Sequence, residues 1–203
     1  VIKLDGKNLK EAVKKAAKAL QKGGIIAYPT DTIYGLGVNP FDPDAVARLK
    51  ALKGRETKKP ISVIVPDVNH INACAVMNDT AKALAEKFLP GPLTLVMPIK
   101  RMPADITLNE SVGIRIPNDE FCLALAKEFG HPYTTTSANK AGQSVPQTVP
   151  ELMDHFRFEL DKIAVIIDGG PRTSPHPSTV VSCITDTPYI LREGANSRQE
   201  LRL

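Results

Sequence analysis

Short apolar segments suited to buried strands alternate with amphipathic segments suited to helices along most of this sequence. GIIAYP at residues 24–29 is β-branched and of strand length, whereas residues 8–22 place apolar side chains on one helical face and lysines on the other. The predicted helices are residues 8–22, 42–54, 79–88, 118–130 and 150–160. The predicted strands or extended segments are residues 24–29, 61–65, 92–99, 112–117, 132–138, 164–168, 178–184 and 189–193. This order predicts an α/β fold: one domain over residues 1–203, with a twisted, open, mixed sheet flanked by helices.

Residues at three helix ends predict where those helices begin or stop. Asn118 is predicted to cap the helix over 118–130, and Gly130 is predicted to end it. Gly54 is predicted to end the helix over 42–54.

Composition leaves several classes of partner open. Lys and Arg total 26 against 22 Asp and Glu, a net charge of +4, which permits an anionic ligand or nucleic acid without requiring either. Aromatic residues make up only 5% and Trp is absent, so we expect an aliphatic core.

The cysteines and the hydropathy pattern predict the cellular setting. Cys74, Cys122 and Cys183 are far apart and form no CxxC motif, so we expect buried thiols, without a disulfide framework or a zinc site. No apolar run approaches the ~20 residues that span a bilayer, and the N-terminus lacks an apolar signal-peptide core. We therefore expect a cytoplasmic protein with no membrane partner and no tightly bound metal of its own.

The segment KGRETKKP, residues 53–60, is the most basic short stretch. Cations at a helix C-terminus are favourable for structural reasons alone, because that end carries partial negative charge. However, Lys53 supplies a point charge and Arg55 a bidentate fork, the two groups that a polyphosphate needs. No Walker or Rossmann glycine motif is present, so a nucleotide would have to be bound in another way. A capping loop and an anion site both remain open on these grounds.

The segment YPTDTIYGLG, residues 28–37, places hydroxyls directly after a predicted strand. Thr30 and Thr32 suit a small polar ligand, but they also suit a turn in which the hydroxyls satisfy the local backbone. Asp31 between them is either a turn residue or an outer ligand for a metal ion that arrives with a nucleotide.

The segment TTTSANKAG, residues 134–142, is too polar for an ordinary core strand. Ser137 and Asn139 are two residues apart, so in extended backbone both side chains point to one side and can reach one ligand. The alternative is that Asn139 begins a turn that Gly142 completes.

Two arginines lie in apolar strand-like segments. Arg115 in VGIRIP and Arg192 in YILRE each need an anionic partner or an exit to water. A structural ion pair would serve either of them as well as a ligand would.

Eight segments, taken in order, resemble the YrdC family of L-threonylcarbamoyladenylate synthases. They are PTDTIYGLG, KGRETKKP, LPGPLTLVMP, VGIRIP, TTSAN, IIDGG, STVV and LREG, and they run from about residue 20 to about residue 195. The resemblance implies the short, single-domain form, with a concave basic cavity on a mixed sheet. It also implies that L-threonine, bicarbonate and ATP, the last with Mg²⁺, give threonylcarbamoyl-AMP and pyrophosphate. The product would then pass to tRNA, or to proteins that modify tRNA.

The resemblance also implies roles for the residues that match the family's motifs. Lys53 and Arg55 would neutralise the triphosphate, Ser137 and Asn139 would contact the α-phosphate and the reacting carbamate, and Arg192 would contact the nucleotide. The catalytic residues would be Lys53, Arg55, Ser137 and Asn139. The same four residues and Arg192 would bind ATP. The threonine-binding residues would be Thr30, Thr32, Arg115, Thr179 with Ser178, and Thr135 or Thr136.

The sequence departs from the longer family members after the KGR motif. Many of those members have a His in the following strand, whereas residues 61–65 (ISVIV) contain none, and Ser62 is the one polar residue there. Lys59 also stands where long forms often have Asn. Two other functions remain open: an RNA-binding module that uses the basic cavity, and an ATP-dependent ligase or carbamoyl transferase that accepts a different amine.

Overall fold

The structure, a computed structural model, describes residues 1–54, 59–174 and 176–203. The helices are α1 (Leu9–Gln21), α2 (Pro43–Leu52), α3 (Val68–Cys74), α4 (Asp79–Phe88), α5 (Glu120–Phe129), α6 (Val149–His155) and α7 (Arg198–Leu201). The strands are β1 (Ile2–Lys3), β2 (Ile25–Tyr28), β3 (Gly35–Gly37), β4 (Ser62–Ile64), β5 (Leu93–Pro98), β6 (Ser111–Arg115), β7 (Tyr133–Ser137), β8 (Ile163–Asp168), β9 (Thr179–Ser182) and β10 (Tyr189–Arg192).

The described strands form one sheet in the order β1-β8-β2-β3-β7-β4-β6-β5-β9-β10. The pairs β1–β8, β2–β8, β4–β6 and β5–β9 are parallel, and the other neighbours are antiparallel. The sheet is therefore mixed and open, with β1 and β10 at its edges, and the predicted α/β class is confirmed.

Every predicted helix and strand is present, with ends that differ by a few residues. The largest difference is at α6, which ends at His155 where the prediction ran to residue 160; residues 156–159 form a turn that buries Phe156 in the core. The elements that the prediction missed are short and weakly patterned: β1, β3, α3 and α7.

The helix caps correct one prediction and confirm two. Asp119, not Asn118, caps α5: its carboxylate accepts a hydrogen bond of 3.0 Å from the Cys122 backbone, while the Asn118 backbone N–H donates to Asp31. Gly130 ends α5 in the left-handed conformation, as predicted. Gly54 is also left-handed and follows the end of α2, which stops at Leu52.

Helices cover one face of the sheet more completely than the other. Residues of α2, α3, α4, α6 and α7 join strand side chains in a large apolar cluster on one face. On the opposite face α1 and α5 pack on β2, β4, β7 and β8 in a second cluster. Ser62 and Ile64 point to the same face of β4, and Ile64 belongs to the α1–α5 cluster, so Ser62 continues that face beyond the helices. An uncovered area therefore remains on this face, beside α1 and α5.

The buried thiols agree with the sequence prediction. Cys74, Cys122 and Cys183 are buried and free. Within the described ranges, no helix combines the length and apolar character needed to cross a membrane.

The β2–β3–β7 region requires glycine at position 37 because another backbone approaches it closely. A Cβ there would lie 2.5 Å from the Thr134 carbonyl oxygen and 3.1 Å from the Tyr28 ring. At Gly35 a Cβ would instead lie 3.2 Å from that ring, which is tight but can be relieved by a small ring movement.

We expect Gly37→Ala to destabilise the fold by about 1–3 kcal/mol, because the new Cβ would collide with the Thr134 carbonyl oxygen, a backbone atom that cannot turn aside as a side chain can. Gly35→Ala is the matched comparison and should cost less. Urea unfolding followed by circular dichroism measures both, and equal midpoints for Gly37→Ala and the parent would contradict this account of the contact.

Candidate active site

The uncovered part of the sheet forms the floor of a cavity of about 330 Å³, a volume in the range of small-molecule sites. The described residues that line it are Thr30, Ile33, Tyr34, Gly35, Lys53, Lys59, Pro60, Ser62, Thr94, Arg115, Thr135, Thr136, Ser137, Asn139, Ala141, Gly142, Pro177, Ser178, Val180 and Arg192. The candidate residues predicted from the sequence come from six separate segments, and the fold brings most of them to this one cavity.

Strand alternation explains why polar residues appear on the floor. Thr94 of β5 pairs with Arg115 of β6 on one side and with Val180 of β9 on the other, and Val180 pairs with Arg192 of β10. All four line the cavity, whereas the residues between them, such as Leu95 and Val181, lie in the apolar cluster on the other face.

Lys53 joins two motifs that are more than 80 residues apart in sequence. Its side chain is buried, and its ammonium donates to the Ser137 carbonyl and, at 2.7 Å, to the Asn139 carbonyl. The Ala141 backbone N–H in turn donates to the Lys53 carbonyl at 2.8 Å. Lys53 is thus enclosed by the loop after β7, so its side chain is not that of a solvated capping loop, one of the two alternatives that the sequence left open.

Ser137 and Asn139 face the same cavity, as their spacing predicted. The Ser137 hydroxyl lies 2.6 Å from Asn139 Oδ1, and Asn139 Nδ2 donates to the Gln143 carbonyl at 2.6 Å. These bonds fix the asparagine side chain in one orientation at the cavity wall.

Arg115 forms a structural ion pair, one of the alternatives that the sequence left open. Its Nη2 donates to the Asp31 carboxylate and, at 3.0 Å, to the Thr32 hydroxyl. Only 6% of the Arg115 side chain and 11% of the Asp31 side chain is exposed, so the pair is buried. The other Asp31 oxygen accepts from the Asn118 backbone at 3.1 Å, which assigns Asp31 to holding Arg115 and the start of α5.

Arg115 still has donors that no described residue satisfies. Its Nε is buried without a partner, and Nη1 makes no hydrogen bond within the described ranges. Since the side chain lines the cavity, it presents a fixed positive group to whatever binds there.

The hydroxyls of Thr30 and Thr32 are used mainly within their own turn. Thr30 Oγ1 lies 3.0 Å from Thr32 Oγ1, accepts from the Thr32 and Ile33 backbone, and donates to the Ile33 carbonyl at 2.7 Å. Thr30 lines the cavity, whereas Thr32 is buried behind it against Arg115. The locally satisfied turn is therefore present, although the turn forms part of the cavity wall.

At the other side of the cavity, Ser178 is the member of the predicted pair Ser178 and Thr179 that faces the cavity. Ser178 lines the cavity and its hydroxyl lies 2.8 Å from the Thr94 hydroxyl. Thr179 points away, where its hydroxyl donates to the Asn196 carbonyl at 2.5 Å and accepts from the backbone of Gly194. Adjacent residues in extended backbone point to opposite faces, so only one of these two side chains can face the cavity.

The remaining predicted residues are placed as follows. Arg192 lines the cavity, is largely exposed and donates to the Ser178 carbonyl at 2.8 Å, so it has the exit to water that the sequence analysis required. Thr135 and Thr136 both line the cavity. Arg55 lies outside the described residues.

Two residues without a predicted role, Tyr34 and Arg172, connect residues 168–172 to the segment that carries Thr30. Burial and the nearby Asp168 carboxylate raise the pKa of Tyr34 to about 12, so it stays a neutral phenol and donates to the Gly170 carbonyl at 2.8 Å. Arg172 Nη1 donates to the Thr30 carbonyl at 3.0 Å.

Ser62 and Thr94 also received no role, although the sequence contained a usable pattern. Each is a polar residue within an apolar strand, and each lies on the cavity face. A single polar residue within each of two apolar strands would have identified both.

The described lining contains four basic side chains, Lys53, Lys59, Arg115 and Arg192, and no Asp or Glu. Among the residues that the structure describes, no group of three or more His, Cys, Asp or Glu side chains is arranged to hold a metal ion.

A sequence model of the Sua5/YciO/YrdC family, described as telomere recombination, matches residues 18–194. The chain belongs to this family. The resemblance carried by the eight sequence segments is thereby confirmed.

Relatives within the Sua5/YciO/YrdC family differ in length. The threonylcarbamoyl-AMP synthase of Bacillus subtilis is 36% identical over 197 residues, which cover 93% of this chain and 55% of that protein. A putative threonylcarbamoyl-AMP synthase of Methanocaldococcus jannaschii is 35% identical over 201 residues, which cover 99% of this chain and 94% of the relative. The crystal structure of P. abyssi Sua5 complexed with L-threonine matches with a TM-score of 0.90 and 32% identity, over 99% of this chain and 58% of that one. The chain spans about half the length of the Bacillus and P. abyssi relatives.

We expect the Asp31–Arg115 pair to show strong energetic coupling. Asp31→Asn or Arg115→Met alone should destabilise the protein by about 3–5 kcal/mol, because each leaves a buried charge without its partner. The double variant should lose at least about 1 kcal/mol less than the sum of the two, because both charges are then gone.

Urea unfolding of the four proteins of this cycle measures the coupling. The exposed pair Glu11–Lys15 on α1 provides a control cycle in which we expect little coupling. Additive losses at Asp31 and Arg115 would contradict the buried ion pair.

Proposed function

We propose that this chain is a threonylcarbamoyl-AMP synthase that uses L-threonine, bicarbonate and ATP. The observation that carries the proposal is Arg115, a buried guanidinium fixed by Asp31 whose remaining donors lie at the wall of a polar cavity. In a member of a family with relatives named as this synthase, one of them solved with L-threonine, the amino-acid carboxylate is the natural partner for that cation.

The threonine would bind with its carboxylate at Arg115. A carboxylate can accept from Nη1 while Nη2 stays on Asp31, so binding would not require the buried pair to separate. Thr30 and Thr135 line the cavity nearby, and Thr32 would act indirectly by orienting the Arg115 side chain.

The nucleotide would bind towards Lys53 and the loop after β7. Lys53, Ser137 and Asn139 are already in one hydrogen-bonded group at the cavity wall, so the α-phosphate would meet a positive charge and polar side chains that are held in position. We propose that Arg55 and Arg192 complete the neutralisation of the triphosphate. Mg²⁺ would arrive with ATP and keep most of its ligands from phosphate and water.

The reaction brings two anions together, which explains the need for fixed cations. The threonine amine attacks the carbon of bicarbonate, and loss of water leaves an N-carboxylate. An oxygen of that carboxylate attacks the α-phosphorus, the bond to the bridging oxygen breaks, and pyrophosphate leaves. The protein's contribution is positioning and electrostatic stabilisation of the developing negative charge.

Several wider properties belong to the same proposal. The four basic side chains would give the cavity a positive potential, reduced by the pairing of Arg115 with Asp31. We further propose that residues 1–203 act as one cytoplasmic domain, and that the product passes to tRNA or to proteins that modify tRNA.

The first test is to incubate the purified chain with ATP, magnesium chloride, bicarbonate and L-threonine. We expect threonylcarbamoyl-AMP by mass spectrometry and pyrophosphate in equal amount, both dependent on threonine and on bicarbonate. ATP binding without this product would favour a different amine substrate. Absence of ATP binding, together with RNA binding that falls steeply with salt, would replace the synthase proposal by an RNA-binding one.

We expect Arg115→Lys to raise the KM for threonine by about tenfold or more while the KM for ATP changes little. Lysine keeps the charge, but it lacks the planar fork that holds Asp31 and a ligand carboxylate at the same time. Steady-state kinetics with each substrate varied in turn separates the two constants. An equal rise in both would contradict the carboxylate assignment.

A further inference from the structure

Gly113 lies beneath the cavity floor, and side chains of the two neighbouring strands fill the space that its own side chain would occupy. Gly113 lies on β6 between β4 and β5, two residues before Arg115 and on the same face of the strand. A Cβ at this position would collide with the Ser62 hydroxyl and would lie 3.3 Å from the Thr94 methyl carbon Cγ2. A hydroxyl from one strand and a methyl from the other therefore lie side by side above Gly113.

The two groups differ in what they offer to a ligand. The Thr94 hydroxyl is turned away to Ser178 at 2.8 Å, so Thr94 presents its methyl towards Gly113. The Ser62 side chain lines the cavity, and its hydroxyl makes no hydrogen bond within the part of the chain that the structure describes. The floor thus has one open hydrogen-bonding group next to one apolar group.

The spacing from Arg115 suits an α-amino acid. Residues two apart on a strand are separated by about 6.7 Å. An amino acid can bridge this gap with its carboxylate hydrogen-bonded to the guanidinium and its β-carbon substituents in contact with the floor at Gly113. A β-carbon that carries a hydroxyl and a methyl matches the two groups there.

We propose that Ser62 and Thr94 form the subsite that selects the amino acid, with the Ser62 hydroxyl bonding the substrate β-hydroxyl and the Thr94 methyl contacting the substrate β-methyl. This inference rests on the proposed function, since it assumes that the amino-acid carboxylate binds at Arg115. Ser62 then supplies the polar contact in a strand that contains no histidine.

The test compares L-threonine with L-2-aminobutyrate, which lacks the hydroxyl, and with L-serine, which lacks the methyl. We expect Ser62→Ala to lower kcat/KM for threonine and serine by about 2- to 12-fold, the value of one hydrogen bond, and to leave 2-aminobutyrate unchanged. Thr94→Ser should reduce the preference for threonine over serine by about fourfold, because one methyl contact is lost. Thr94→Val keeps the methyl and should retain that preference.

Ser182→Ala is the matched control. Ser182 lies on β9 of the same sheet, is buried and does not line the cavity, so its removal should leave all substrate ratios unchanged. Circular dichroism spectra would establish that each variant is folded. The proposal is overturned if Ser62→Ala and Thr94→Ser keep the parental substrate ratios.

Calorimetric titration of the parent and the Ser62→Ala variant with threonine and 2-aminobutyrate, without ATP, gives a second readout. We expect the parent to bind threonine more tightly than 2-aminobutyrate, and the variant to lose that difference. If the parent makes threonylcarbamoyl-AMP but Ser62→Ala keeps the difference, the subsite assignment alone is wrong. If the parent neither binds threonine nor forms product, the proposed function itself is wrong.

Discussion

Incomplete helix cover on one face of the sheet is the constraint from which the candidate site follows. The helices α1 and α5 bury their apolar faces against β2, β8 and the neighbouring part of the sheet, and they leave the area towards β5, β6 and β9 open. A strand with one face in the core and the other at an open, polar cavity carries polar residues on the second face only. Ser62, Thr94 and Arg115 are the consequences of this rule, and each lies between residues of the main core.

Two buried cations then give the open face its rigidity. Lys53 is held by carbonyls of the loop after β7, and Arg115 is held by the carboxylate of the loop after β2. A buried charge is tolerated only with partners of this kind, so the loops and the cations fix each other. The charged side chains that would bind a ligand therefore also stabilise the protein's own fold.

Much of the fold was predictable because local periodicity determines it. The prediction for α4 matched at both ends, and that for α1 differed by one residue at each end. Short elements were missed because three glycine-rich residues, as in β3, contain too little pattern to distinguish a strand from a loop.

The candidate site was predictable by residue type, but not by contact. An Arg in an apolar strand needs an anion or an exit to water, yet nothing local identifies Asp31, 84 positions earlier in the chain, as the anion that Arg115 contacts. Ser178 and Thr179 were predicted together, but only Ser178 faces the cavity, because helix packing determines which face of the sheet is left open. The burial of Lys53 likewise depends on a loop more than 80 residues away.

The alternation along β4, β5, β6 and β9 has an evolutionary consequence. Residues of one phase pack in the core and determine stability, whereas residues of the other phase face the cavity and determine what it binds. Mutations in the second phase that keep Arg115 and Gly113 change few packing contacts, so a lineage can acquire a new ligand without first losing its fold. Recognition and stability therefore depend largely on alternate residues of the same strands, and Arg115 contributes to both.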